Sequence, residues 1–302
     1  MKKRGIILAA AAVPALAAAN VYNFIFARTR PPILNALLDK KTHNADYYAR
    51  RDGNAELLRQ QVHVCYTMQS ERGETLQGNY YPYGAKFGKK IAFIVHGYHS
   101  EHAETAGMFR EFYHSRGFDI FAPDNTASGL SGGNWFGYDV FESADCLKWL
   151  EFLRDEFGSD IQVVLHGFSL GGATVMKMSS RVPDFVKFIV EDSGFTDARP
   201  ILKSQLGPAY GLIAEMNKHI AGYDLRDTDV SASLAEAAVP MLFVHGEDDL
   251  TVPFSNAPRA FGMCTSDKDC LFTAGTKHIE TMHTHPEEYA PKLDAFIAKY
   301  IK

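Results

Sequence analysis

The sequence is short of cysteine and of positive charge, and each shortage removes a class of protein. Four cysteines in 302 residues cannot make the dense disulfide framework of a small secreted scaffold, and they show no pair of clusters with zinc-ligand spacing. A formal net charge of −5 leaves no basic field for a polyanion, which argues against nucleic acid as a partner. The only basic cluster is Lys2-Lys3-Arg4. Internal repeats and low-complexity tracts are missing beyond an alanine-rich N-terminus, so solenoids and arrays are excluded. What is present, 46% hydrophobic residues in a chain of this length, suffices to bury one large core without metal or disulfide.

Charge is also missing from Gly5 to Ala27, a run bounded by Lys2-Lys3-Arg4 and Arg28. Read as a secretory signal, residues 1–27 have a basic start, an apolar stretch through Leu16 and an Ala17-Ala18-Ala19 cleavage site before Asn20. Read as a membrane anchor, the run is long enough to span a bilayer, although Pro14, Asn20 and Asn23 interrupt it. Apolar character resumes past the cleavage site from Val21 to Phe26, which favours the anchor. Both readings place the remainder outside the cytoplasm, secreted or tethered, because the basic end stays inside. A third reading is an apolar helix docked on a soluble domain. Cys264 and Cys270 bracket a polar loop short enough for a disulfide, and four packed thiols are the alternative.

Residues 28–60 are mixed and charged, with Pro31-Pro32 near their start, and read as a spacer and an entry helix. From residue 61 the pattern becomes a β-hairpin, Val62 to Thr67 and Leu76 to Tyr83. Apolar strands then alternate with amphipathic helices. The strands are expected at 91–95, 118–122, 161–165, 185–190, 240–244 and 270–273; the helices lie around 102–115, 140–157, 170–180, 254–262 and 286–301. That alternation predicts an α/β fold over residues 61–302, a mostly parallel central sheet flanked by helices. One interval, about 196–238, is too long for a simple connection. Its helical runs at 200–206 and 210–219 predict a small helical cap.

The stretch Ile161 to Met176 carries the strongest chemical signal. A β-branched apolar run meets Gly167-Phe168-Ser169-Leu170-Gly171 and continues as helix, so Ser169 sits at the tip of a sharp strand-to-helix turn. Functional groups in parallel α/β sheets gather at the carboxyl ends of strands. At three other strand ends stand His96-Gly97-Tyr98, then His245-Gly246-Glu247-Asp248-Asp249, then Ala274-Gly275-Thr276-Lys277-His278. The backbone N–H groups of Tyr98 and Leu170 are the candidate oxyanion-hole donors. Glu247, Asp248 and Asp249 compete as the acid. His278 is the tightest fit for the base; His283 would follow a longer loop, and His285 precedes a helix start at Pro286. His166 reads as a packed structural histidine, and Asp192-Ser193 as turn chemistry.

Serine, then acid, then histidine, each at a strand end, resembles the α/β-hydrolase superfamily, in particular its Bem46-like and serine-aminopeptidase-like hydrolases. The resemblance covers about Tyr80 to Ile301 and rests on the motifs just quoted together with Pro123-Asp124 and Val252-Pro253. It implies that Asp249 is the catalytic acid, that Ser169 and His278 complete the triad, and that a cap precedes the strand at Met241. One segment departs from the pattern: Asn125 to Gly133 stands where many relatives carry Arg-Gly-His-Gly-x-Ser. The expectation is a serine hydrolase that cleaves a small acyl ester through an acyl-enzyme, with no cofactor. An amidase or peptidase on the same triad is the alternative within the class, and a non-catalytic, surface-displayed binding module the alternative outside it. Apolar cap residues Ile201, Leu202, Leu206, Leu212, Ile213 and Met216 suggest an acyl pocket.

Overall fold

The computed structural model describes residues 16–29, 43–85 and 87–302. Most of the apolar run through Leu16, and the Pro31-Pro32 spacer, lie outside them. Eight strands form one sheet: β1 (Val64–Gln69), β2 (Thr75–Tyr81), β3 (Lys90–Val95), β4 (Asp119–Pro123), β5 (Gln162–Phe168), β6 (Val186–Asp192), β7 (Met241–Gly246) and β8 (Lys268–Thr273). Their spatial order is β1-β2-β4-β3-β5-β6-β7-β8. The β1–β2 hairpin and the β2–β4 pair are antiparallel, and every other neighbour is parallel. β1 is a half-exposed edge, whereas β3, β4 and β7 are almost wholly buried. That contrast follows from sequence: a parallel strand covered on both faces reads as a continuous apolar run.

The helices, in chain order, are α1 (residues 16–26), α2 (Ala45–Arg59), α3 (His102–His114), α4 (Val140–Phe157), α5 (Leu170–Met178), α6 (Ala198–Leu206), α7 (Tyr210–Ile220), α8 (Ser231–Ala235), α9 (Asn256–Met263), α10 (Thr281–Thr284) and α11 (Pro286–Tyr300). One face of the sheet packs against α4, α5, α8 and α9 through residues such as Trp149, Met176, Leu234 and Ala260. The other packs against α2, α3 and α11 through Leu58, Phe109, Tyr113 and Leu293. This is the α/β-hydrolase fold.

A third apolar cluster lies above the carboxyl ends of the strands. It joins Tyr22, Ile25 and Phe26 of α1 to Phe136, Phe141, Leu170 and Phe195, and to Leu202, Ile213 and Tyr223 of the stretch between β6 and β7. Residues 16–26 are therefore seated on the body of the molecule. Among the described residues no helix is long and apolar enough to cross a membrane. The four cysteines are free thiols; Cys264 Sγ lies 3.2 Å from Ser266 Oγ instead of reaching Cys270.

Candidate active site

Ser169 stands between β5 and α5 with φ 55° and ψ −113°, a strained conformation for a non-glycine residue. Its neighbours explain how the turn closes. A Cβ on Gly167 would lie 2.1 Å from the Gly171 carbonyl oxygen, and one on Gly171 would lie 2.1 Å from the Val95 carbonyl oxygen. Only glycine lets strand and helix come this close. The Ser169 N–H donates to Asp192 O at 2.9 Å, tying the turn to the end of β6. Gly97 fits against the serine, since its Cβ would be 3.3 Å from Ser169 Cβ.

The structure brings Ser169, Asp249 and His278 together. The Ser169 hydroxyl donates to His278 Nε2 at 2.8 Å, and His278 Nδ1–H donates to Asp249 Oδ2 at 2.6 Å. Because a carboxylate only accepts, that contact places the histidine proton on Nδ1 and leaves Nε2 as an acceptor for the Ser169 hydroxyl. Asp249 is surrounded by donors. Its Oδ1 accepts the N–H groups of Thr251 and Val252 at 2.8 and 2.9 Å, and its Oδ2 also lies 3.2 Å from His245 Nε2. Burial would push this carboxyl up, but His278 and His245 hold it well below the usual carboxylate range. Glu247 and Asp248 are exposed, whereas Asp249 is buried.

The remaining sequence candidates lie elsewhere. His285 Nδ1 approaches Thr276 Oγ1 and Thr284 Oγ1 at the start of α11, and His283 packs near Tyr47. His96 is fully buried; its Nε2 accepts from the Asn125 N–H at 2.9 Å, a packing role. His166 is also buried, between the hydroxyls of Tyr113 and Tyr289, each at 2.9 Å. Tyr289 donates onward to Asp192 at 3.1 Å, and Ser193 Oγ accepts the Ile279 N–H beside the triad at 3.2 Å. Asp192-Ser193 thus belongs to a buried network that supports the His278 loop, beyond a simple turn. Tyr98 lines the cavity at the end of β3 and Leu170 opens α5. As the first residue of that helix, Leu170 has an N–H without an intrahelical acceptor.

A cavity of about 820 Å³ reaches the serine. One side is apolar, built from Val21, Phe24 and Ile25 of α1, Ile201, Leu202 and Leu206 of α6, and Phe195. Of the other cap candidates, Leu212 is 57% exposed, Ile213 is buried and Met216 is partly buried in the apolar cluster. The opposite side is polar, with His43, Tyr47, Tyr48, Arg51 and Glu104. Sequence reading missed this side. The signal was present in the polar run after the apolar segment, but nothing local in it points to a site 235 residues downstream. His43 is held there by Glu280, whose buried carboxylate accepts from Asn44 N at 2.8 Å and Nδ2 at 2.6 Å and meets His43 Nδ1 at 3.2 Å. The His43 and His278 rings are 6.0 Å apart. Burial, with His278 and Arg51 nearby, pushes His43 down to about 3, so it is neutral near pH 7 and does not repel a charged His278.

Glu191, at the end of β6, is a stability liability next to this site. It is 1% exposed; one oxygen accepts the Gly194 N–H, and the other has no partner among the described residues. Burial pushes its carboxyl up to about 7 against the pull of His245. The folded form therefore keeps a proton that the unfolded chain loses near 4.5. The resulting stabilisation is full below about pH 4.5 and fades as pH rises toward 7. Glu191→Gln should melt several degrees above wild type at pH 8, reflecting at most on the order of 3 kcal/mol, with the gap closing at pH 5. Thermal melts at the two pH values check this.

Comparison with known proteins agrees with the geometry. The profile of the prolyl oligopeptidase family matches residues 108–302. Two Bacillus subtilis (strain 168) proteins are similar. The uncharacterized protein YqkD is 23% identical over an alignment covering 60% of this chain and 62% of YqkD, so the chain matches less than two thirds of that relative's length. The AB hydrolase superfamily protein YisY is 26% identical, covering 56% of this chain and 78% of YisY. Among solved structures, the Pyrococcus furiosus esterase Pf2001 superposes with a TM-score of 0.65 at 18% identity, over 80% of this chain and 94% of that one. Ferulic acid-bound Est1E from Butyrivibrio proteoclasticus superposes with a TM-score of 0.59 at 16% identity, over 78% of this chain and 99% of that one. With the profile matching residues 108–302, more than half of its length, the chain belongs to the prolyl oligopeptidase family of serine hydrolases, within the α/β-hydrolase superfamily.

Proposed function

We propose that the protein is a carboxylic ester hydrolase that cleaves a small acyl ester, with Ser169 as nucleophile, His278 as base and then acid, and Asp249 as the group that orients His278. The observation that carries this reading is the 2.8 Å and 2.6 Å chain from Ser169 through His278 to Asp249 at the floor of a cavity with an apolar side. Ser169 Oγ attacks the ester carbonyl as its proton passes to His278 Nε2. The backbone N–H groups of Tyr98 and Leu170 receive the oxyanion, a role in which one lost donor typically costs about 3 kcal/mol. Collapse of the tetrahedral intermediate expels the alcohol, protonated by His278, and leaves an acyl-serine. Water, deprotonated by the same imidazole, then releases the acid and restores the hydroxyl. No cofactor is needed.

Among α/β-hydrolases we place the chain with the Bem46-like and serine-aminopeptidase-like enzymes, on the strength of its His245 to Pro253 motif. We place it outside the cytoplasm, tethered or secreted, because of the basic residues before the apolar N-terminal run. Amide or peptide cleavage is the second reading, favoured by the matched family profile; both reactions pass through the same intermediate. The test is intact-mass analysis after exposure to a fluorophosphonate, followed by a screen of esters and amides. One adduct on wild type and none on Ser169→Ala is expected, with faster turnover of esters. Turnover of amides alone would replace the ester reading. No adduct on wild type would favour a binding module.

A further inference from the structure

We propose that residues 20–28 are a working part of the active site: α1 walls the cavity that holds the acyl chain, and its Ile25 carbonyl fixes Tyr98, so the segment sets acyl selectivity and helps to position an oxyanion donor. The inference rests on the ester-hydrolase reading and adds to it a role for a segment that, by sequence, resembles a disposable leader or an anchor.

Three sets of contacts carry it. First, Val21, Phe24 and Ile25 line the same cavity as Ser169, together with residues of α6. Second, the hydroxyls of Tyr98 and Tyr138 both donate to the Ile25 carbonyl. That carbonyl belongs to the last turn of α1, where intrahelical donors run out, so the tyrosines satisfy the helix end and the helix in turn restrains them. Tyr98 is further held by its ring against Phe136, at 4.7 Å between centroids. Third, the seat is built for this segment. Tyr22 and Phe26 are buried, and the Tyr22 hydroxyl donates to Asn217 Oδ1 on α7 at 3.2 Å. Past the helix, Phe136 N–H donates to Phe26 O and Arg28 N–H to Asn134 O, each at 2.9 Å. The Arg28 guanidinium donates to the carbonyls of Gly129 and Ser131. Those two acceptors lie in the segment from Asn125 to Gly133, the one stretch that departs from the pattern of many relatives.

The Ala17-Ala18-Ala19 site lies on the outward part of α1, with Ala17 and Ala19 exposed, and every docked residue follows it. Cleavage after Ala19 would spare the wall.

The test uses ethyl and decyl fluorophosphonates on the full chain, on a chain starting at Asn20, and on the Val21→Trp and Tyr98→Phe variants, with the labelling rate of Ser169 as readout. Wild type should prefer the decyl probe, by roughly fourfold for each methylene the wall covers. The chain starting at Asn20 should keep that ratio. Val21→Trp, which fills the cavity from a partly exposed position without removing the seat, should reduce the ratio at least tenfold. On an ester substrate Tyr98→Phe should lower kcat about tenfold while KM moves less than twofold and the pH profile stays in place, because His278 is untouched. An unchanged ratio in Val21→Trp, or its loss on removing residues 1–19, would overturn the inference while the hydrolase reading stands. Absence of any wild-type adduct would instead overturn the hydrolase reading, and the inference with it.

Discussion

Replacing His278 by alanine should lower kcat/KM for an ester by about 10⁵-fold, whereas His283→Ala and His285→Ala should change it by less than threefold. The difference in size follows from position. His278 is the only one of the three that meets both Ser169 Oγ and the Asp249 carboxylate, and without it the serine proton has no side-chain acceptor at hydrogen-bond distance among the described residues. His285 meets two threonines at a helix start, and His283 sits near Tyr47 and Arg50. A substitution that isolates orientation from proton transfer is Asp249→Asn. Its amide would present a donor to one of two nitrogens, His278 Nδ1 and His245 Nε2, that now share Oδ2. Where it faces His278, the ring is driven to the tautomer with Nε2 protonated, useless as a base, and a loss of about 10⁴-fold is expected. Steady-state rates on one activated ester, with circular dichroism to show that each variant is folded, check the series. Full activity in His278→Ala with loss in His283→Ala would move the base to another residue.

Gly171→Val should abolish activity and strip the protein of its cooperative melt, the second large effect. At Gly171 a Cβ would fall 2.1 Å from Val95 O and 2.8 Å from His96 O, backbone atoms at and just past the end of β3, the strand next to β5. No side-chain rotation relieves such a clash, so either β3 moves away from β5 or the turn at Ser169 opens. The first breaks the centre of the sheet; the second removes the geometry that aims the hydroxyl. Gly211→Val is the contrast, because nothing lies within 4 Å of a Cβ there. It should change stability only by the difference in helix propensity, which favours valine over glycine by less than about 0.5 kcal/mol. A thermal melt of both variants, beside the fluorophosphonate adduct, reads the result.

Much of this was legible because it is local. The turn at Ser169 is written in five residues whose two glycines have a steric reason to be there. The strands are legible as apolar runs; their observed bounds differ mainly at the carboxyl ends, where β5 runs on to Phe168 and β6 to Asp192. Functional glycines and buried acids extend the ladder past the apolar residues that reveal it. The choice among Glu247, Asp248 and Asp249 was not legible from residue type. Three adjacent carboxylates are chemically alike, and what separates them is that Asp249 alone is folded inward to meet two backbone N–H groups and two imidazoles.

The N-terminal segment shows the limit most clearly. Its apolar composition is equally suited to lipid, to removal and to a protein seat, and composition carries no record of the surface it will meet. Its partners lie 73 to 195 residues away, at Tyr98, Gly129, Ser131 and Asn217, and only the folded chain brings them together. By itself the sequence determined the α/β alternation, the serine turn and the order of serine, acid and histidine, because steric and periodic rules act between near neighbours. The tertiary structure alone decided what lines the cavity and where α1 rests, because those depend on complementary surfaces that no local pattern encodes.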